Sequence, residues 1–134
     1  MYVHGMPAGI GEPVLKARCL SRQAVMSIGA VKGVEIGDGF QAATSHGSIN
    51  NDAFTCENGS ISKLTNHSGG ILGGMSDGSD IVLRAAFKPT PSISQVQQTV
   101  TTTSENIDLS IHGRHDPIIV PRAVVVVESM VHSH

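Results

Sequence analysis

The spacing of hydrophobic and polar positions changes period several times along the 134 residues, and each change marks an element or a turn. Between Val14 and Met26, the apolar residues Leu15, Ala17, Leu20, Ala24 and Val25 recur at loosely helical intervals, which predicts a helix over 14–27. Val31, Val34, Ile36 and Phe40, interrupted by Gly33, Gly37 and Gly39, predict a strand over 31–40 in which missing side chains admit a second backbone or a ligand. Residues 54–64 predict a hairpin around Asn58-Gly59, a pair suited to the positive φ of a tight turn. Ile81 to Phe87 is an apolar strand that must stop at Lys88-Pro89-Thr90-Pro91-Ser92, because two prolines remove ladder donors. Val96, Val100 and the threonine run predict a strand over 94–103. Ile107, Leu109 and Ile111 alternate with Asp108, Ser110 and His112, as in a half-buried strand over 107–112.

Two stretches read as irregular. Residues 1–13 carry Gly5, Pro7, Gly9, Gly11 and Pro13, and residues 68–79 carry Gly69, Gly70, Gly73, Gly74 and Gly78. Near the end, two local rules conflict. Pro121 suits the first turn of a helix, whereas Val124 to Val127 are four β-branched residues that favour a strand. Strand signals joined by turns, without alternating helices, predict the α+β class: an antiparallel sheet packed on helices, in one domain or a piece of one.

Composition narrows the function classes. With 40% hydrophobic and 15% charged residues, the chain is built to bury a core. Three Phe, one Tyr and no Trp give little material for base stacking, and a net charge of −2 offers no electrostatic footprint for nucleic acid or a membrane surface. Any anionic ligand is therefore expected to be small and locally held. Cys19 and Cys56 form no repeated spacing and the first residues form no leader pattern, so a reduced, cytoplasmic chain is expected. The longest apolar stretch, Ile118 to Val127, is broken by Pro121 and Arg122 and is far short of a membrane span of about 20 residues.

Two loops carry candidate chemistry. The glycine loop followed by Lys88-Pro89-Thr90-Pro91-Ser92 combines a cation, hydroxyls and free amides that could hold a phosphate; the alternative is turn geometry alone. It lacks the Gly-Lys-Ser/Thr ending of a P-loop. Gly113-Arg114-His115-Asp116-Pro117 places a cation, an imidazole and a carboxylate beside a rigid proline; the alternative is a surface turn with an internal ion pair. The seven histidines do not complete a tetrahedral set with Cys or carboxylates, so no metal is expected.

Read together, the loops resemble chorismate synthase. The resemblance rests on residues 5–13 (GMPAGIGEP), 31–40 (VKGVEIGDGF), 65–74 (TNHSGGILGG), 86–93 (AFKPTPSI) and 113–117 (GRHDP), five motifs in family order. It implies that residues 1–134 are a C-terminal fragment of a single chorismate synthase domain, part of two sheets sandwiching helices, from a family of homotetramers. The implied activity is a lyase reaction in the shikimate pathway to aromatic amino acids. It is the 1,4-elimination of phosphate from 5-enolpyruvylshikimate 3-phosphate, which gives chorismate and depends on reduced FMN. The resemblance places flavin contacts on Gly29, Ala30, Gly73, Lys88, Pro89, Thr90, Pro91, Ser92 and Arg114, and proton movement on Asp116. The family's catalytic histidines fall in the part not present here, so the fragment alone is expected to be inactive. Gly29 stands where the family usually has Asn or Pro, and residues 16–22 are basic where the family's helix is acidic. The Val run is then read as a helix over 121–130. A reading from another class is a remnant that binds flavin or phosphate without catalysis.

Overall fold

The structure is a computed structural model that describes residues 1–11, 23–114 and 116–132. In chain order the described elements are β1 (Tyr2–Val3), β2 (Val31–Ile36), a 3₁₀ segment (Gly39–Thr44), β3 (Phe54–Glu57), β4 (Ser60–Lys63), β5 (Ile71–Leu72), β6 (Met75–Ser76), β7 (Ile81–Phe87), β8 (Val96–Val100), β9 (Asn106–Ser110) and α1 (Val120–His132). All described strand pairs are antiparallel, and the class is α+β as expected.

The central sheet has the order β1-β7-β2. Val31 faces Phe87 at one end of the β2–β7 ladder and Ile36 faces Leu83 toward the other, while Tyr2 pairs with Val82 on the far side of β7. Alternation along β7 sends Leu83, Ala85 and Phe87 to one face, where Val25, Val31 and Val127 complete a small aliphatic core with Leu83. Residues 23–26 are helical and lie on the same side as α1.

Most predicted elements occur, with corrections. The strand over 31–40 ends at Ile36, because Gly37 and Gly39 turn to φ of 61° and 57° and the chain enters the 3₁₀ segment. The stretch 1–13 is not wholly irregular, since Tyr2 and Val3 add to β7, and the glycine loop 68–79 contains the β5–β6 hairpin. Thr101 to Thr103 belong to a turn, where Thr101 N–H donates to the Glu105 carbonyl at 2.9 Å; β8 therefore stops at Val100. The strand over 107–112 is β9, and it is exposed rather than half-buried: only Ser110 in it is partly covered. The valine run is helical, because Ala123, Val127 and Val131 pack on the sheet and tertiary burial overrides β-propensity. The predicted helix over 14–27 falls largely outside the described residues.

The chain exposes 9505 Å² of surface. A self-contained folded monomer of its mass would expose roughly 6,700 Å². Val124, Val125 and Val126 of α1 and Val96, Val100 and Leu109 of the β8–β9 hairpin all contribute to the difference.

Candidate functional site

The ladder register builds the first part of the site. Because Val31 opens β2 opposite Phe87 at the close of β7, the residues just outside the ladder, Ala30 and Lys88, meet across it. The Lys88 N–H donates to the Ala30 carbonyl at 2.7 Å, with Ala30 held at φ 70°. Gly29 precedes it with open space where a Cβ would stand. The prolines at 89 and 91 then turn the chain out of the sheet. The Ile93 N–H and the Gln97 side-chain amide both donate to the Pro91 carbonyl at 3.1 Å, fixing the far end of the loop. Inside this loop the Thr90 hydroxyl oxygen is buried and has no hydrogen-bond partner among the described residues. A buried hydroxyl without a partner is costly unless another group completes it, so the 29–30 and 88–92 segments fit a polar ligand.

Gly73 sits elsewhere, in the turn between β5 and β6 with φ 61° and nothing near its missing Cβ. Ser76 holds that hairpin against residues 7–10. Its hydroxyl donates to the Pro7 carbonyl at 2.6 Å and accepts from the Ile10 N–H at 2.9 Å. Arg114 is exposed between β9 and α1. Asp116 is not paired with Arg114; it forms a two-point ion pair with Arg122 in the first turn of α1, at 2.8 and 3.3 Å. His115 lies outside the described residues. No hydrogen bond or ion pair among the described residues joins Gly73, Arg114 or Asp116 to the Ala30–Lys88 contact.

A second polar assembly had no local signal in the sequence, because its cation lies 11 and 14 residues from its two carboxylates. The Lys63 ammonium, 3% exposed, reaches Asp77 at 2.7 Å, the Ser68 hydroxyl at 3.0 Å and Asp52 at 3.4 Å. Burial pushes the Asp52 carboxyl up. The Ser68 and His67 N–H groups and the Thr65 hydroxyl outweigh it and hold Asp52 well below the usual carboxylate range. Asp77 follows the same logic: burial raises it, while the Lys63 cation and the Ser79 N–H lower it further.

The Gly-Asp-Gly-Phe turn rests on this assembly. A Cβ on Gly37 would fall on the His67 carbonyl, and one on Gly69 would fall on the Gly37 backbone, so only glycine lets the two loops touch. Asp38 N–H donates to the His67 carbonyl at 2.9 Å while its carboxylate meets His67 Nδ1 at 2.7 Å and the Asn50 amide at 3.0 Å. On the other side Arg84 binds Glu35 at 3.1 Å and the Gly37 carbonyl at 2.8 Å. The Phe40 N–H on Glu35, with the Arg84 cation beside it, lowers that carboxyl.

Among the described residues no helix is long and apolar enough to cross a membrane, and no three His, Cys, Asp or Glu side chains converge as metal ligands. A family model described as chorismate synthase matches residues 1–134. A chorismate synthase of Lachnoclostridium phytofermentans is 65% identical over 130 residues, covering 96% of this chain and 35% of that protein. One from Archaeoglobus fulgidus is 59% identical over 128 residues, covering 94% and 36%. A crystal structure of a chorismate synthase superimposes with a TM-score of 0.73 at 32% identity, over 97% of this chain and 32% of that one. The chain thus spans about a third of the length of the relatives it matches.

Proposed function

The chain belongs to the chorismate synthase family, and from that premise we propose that it supplies the flavin-loop third of a lyase. That enzyme converts 5-enolpyruvylshikimate 3-phosphate to chorismate and phosphate. The observation that carries this reading is the Lys88–Ala30 contact beside the unpartnered, buried Thr90 hydroxyl. Two segments 58 positions apart in sequence meet there, and the unsatisfied Thr90 hydroxyl follows two residues after Lys88.

When bound, reduced FMN supplies transient electron density to the elimination without net redox change. This chain's residues hold and orient. Lys88 offers a cation, Thr90 a hydroxyl, and Gly29-Ala30 a backbone that a ligand can approach closely; Arg114, free of an acidic partner among the described residues, adds a charge-assisted contact. Gly73 joins the same site through the parts of the protein that complete it. Asp116 accepts and returns a proton. Its tie to Arg122 aims it, and because both side chains are substantially exposed, releasing the pair for that task costs little.

The isolated chain binds substrate poorly and does not turn it over, because clamping phosphate and carboxylate for elimination needs walls beyond this third. The test is a chimera in which this chain replaces the matching third of the Lachnoclostridium relative, titrated with FMN without oxygen. Arg114→Ala is expected to raise the flavin Kd, and an unchanged Kd removes Arg114 from the site. Asp116→Asn is expected to lower turnover by about 10²–10⁴-fold with little change in substrate binding. Chorismate formed by the isolated chain with reduced FMN would refute the incompleteness. A chimera that binds FMN but makes no chorismate would instead favour the remnant reading.

A further inference from the structure

The β3–β4 hairpin turns at Asn58-Gly59, with φ of 52° and 80°, and its last ladder pair is Glu57 with Ser60. All four residues are exposed. No hydrogen bond among the described residues holds the Asn58 side-chain amide, and nothing stands within 4 Å of the position a Gly59 Cβ would take. The Gly59 nitrogen and the Asn58 side chain are therefore open to each other and to water. The remaining asparagines are not. The Asn66 amide donates to the Asp80 carbonyl at 2.8 Å and its side-chain oxygen accepts from the Gly70 N–H at 2.7 Å, while the Asn50 amide donates to Asp38 at 3.0 Å. Asn51 and Asn106 precede Asp52 and Ile107, whose own side chains crowd the nitrogen that Gly59 leaves bare.

We propose that Asn58 is a site of spontaneous deamidation, set at the turn whose length fixes where Lys63 is delivered. Once hydroxide has taken its proton, the Gly59 amide nitrogen attacks Asn58 Cγ; a C–N bond forms, the Cγ–Nδ2 bond breaks, and ammonia leaves with a proton taken from water. A five-membered succinimide remains. Water then adds to one of the two ring carbonyls. Opening at Cγ gives aspartate, and opening at the main-chain carbonyl gives isoaspartate, in which the backbone runs through Cγ. Water is consumed and ammonia released, with no change of oxidation state. The ring is planar, so the turn opens before it reacts, and a two-stranded ribbon whose strands pair only with each other opens readily at its tip. The other end of the hairpin is tied down. There the Leu64 N–H donates to the Ala53 carbonyl at 3.0 Å, and Lys63, opposite Phe54, reaches Asp52, Asp77 and Ser68. Isoaspartate adds one backbone carbon to a two-residue turn. Turn length sets register and register decides which face Lys63 takes, so that carbon works against the pairs that carry the ammonium to its carboxylates.

The test needs neither flavin nor activity. The purified chain is held in mildly alkaline buffer and sampled over time by peptide mass mapping and by methyl transfer from a protein isoaspartyl methyltransferase. Asn58 is expected to lose its amide at least tenfold faster than Asn50 or Asn66, with isoaspartate as the main product. Equal rates at the three positions, or no conversion at Asn58 while the urea-unfolded chain converts, overturn the proposal. Asn58→Gln, whose longer side chain cannot close the five-membered ring, should abolish methyl transfer; transfer that persists undiminished places the modification elsewhere and also overturns it. The isoaspartyl form is then separated and its amide exchange compared with that of the parent chain. Amides of residues 54–57 and 60–63 should exchange at least tenfold faster, whereas Asn58→Asp, which keeps the backbone length, should leave them within twofold. An isoaspartyl chain that exchanges like its parent overturns the link to Lys63.

Discussion

The loops organised around Lys63 and the segment from β8 through α1 stabilise themselves in opposite ways. In the first, little apolar area is buried, yet one ammonium and two carboxylates are almost wholly covered and each finds several partners. Such a network is costly when half satisfied and rigid when complete, and here it is complete within the chain. In the second, the β8–β9 hairpin closes its ladder but leaves nearly every residue exposed, and α1 shows valines on both sides. A lone two-stranded ribbon is marginal in water, and this one stands with Val96, Val100 and Leu109 exposed. The first region satisfies its polar groups among the described residues, whereas the second leaves its apolar side chains open.

The largest effect expected to sharpen this contrast comes from Lys63→Met. It strands Asp52 and Asp77 without their cation, and should cost about 3–5 kcal/mol in urea unfolding of the chain. A loss within 0.5 kcal/mol would mean that the network is not what holds these loops. Next, Gly37→Ala forces both a strained φ and a clash with the His67 carbonyl, and about 1–3 kcal/mol should be lost by the same measurement. Gly47→Ala, with open space at the missing Cβ, is the matched control and should change little.

Acid should act on the first region ahead of the second. Asp52 and Asp77 are lowered in the folded state, so their contribution is full above the unfolded carboxylate pKa and is lost as pH falls through the folded values. Exchange of the His67 and Ser68 amides should therefore accelerate as the pH drops below about 4, while the aliphatic core around Leu83 feels no such titration. Simultaneous acceleration of both regions from a higher pH would break the contrast. The smallest effect belongs to Val125→Ser on the outer face of α1: within about 0.5 kcal/mol in the isolated chain, as for an exposed site. In the chimera the same change should cost more.

These regions also differ in how far the sequence foretells them. Period-two alternation places β7 at 81–87 and Asn58-Gly59 places the β3–β4 turn, because both signals are local. The meeting of Ala30 with Lys88 follows once β2 and β7 pair, but which strands pair is decided by the core, not by either segment. The Lys63 network is invisible locally, since a lysine two positions after Ile61 reads as a solvated strand residue until Asp52 and Asp77 fold over it. For β9, alternation suggests a half-buried strand. Its pattern is that of a strand with one covered face, but among the described residues only Ser110 in it is partly covered.

Hydrogen exchange on the isolated chain and on the chimera tests the central claim most directly. The account predicts that the amides of His67, Ser68 and Gly70 are equally protected in both, whereas residues 96–110 and 120–132 gain protection of at least a hundredfold only in the chimera. Equal protection of α1 and the hairpin in both proteins would contradict it.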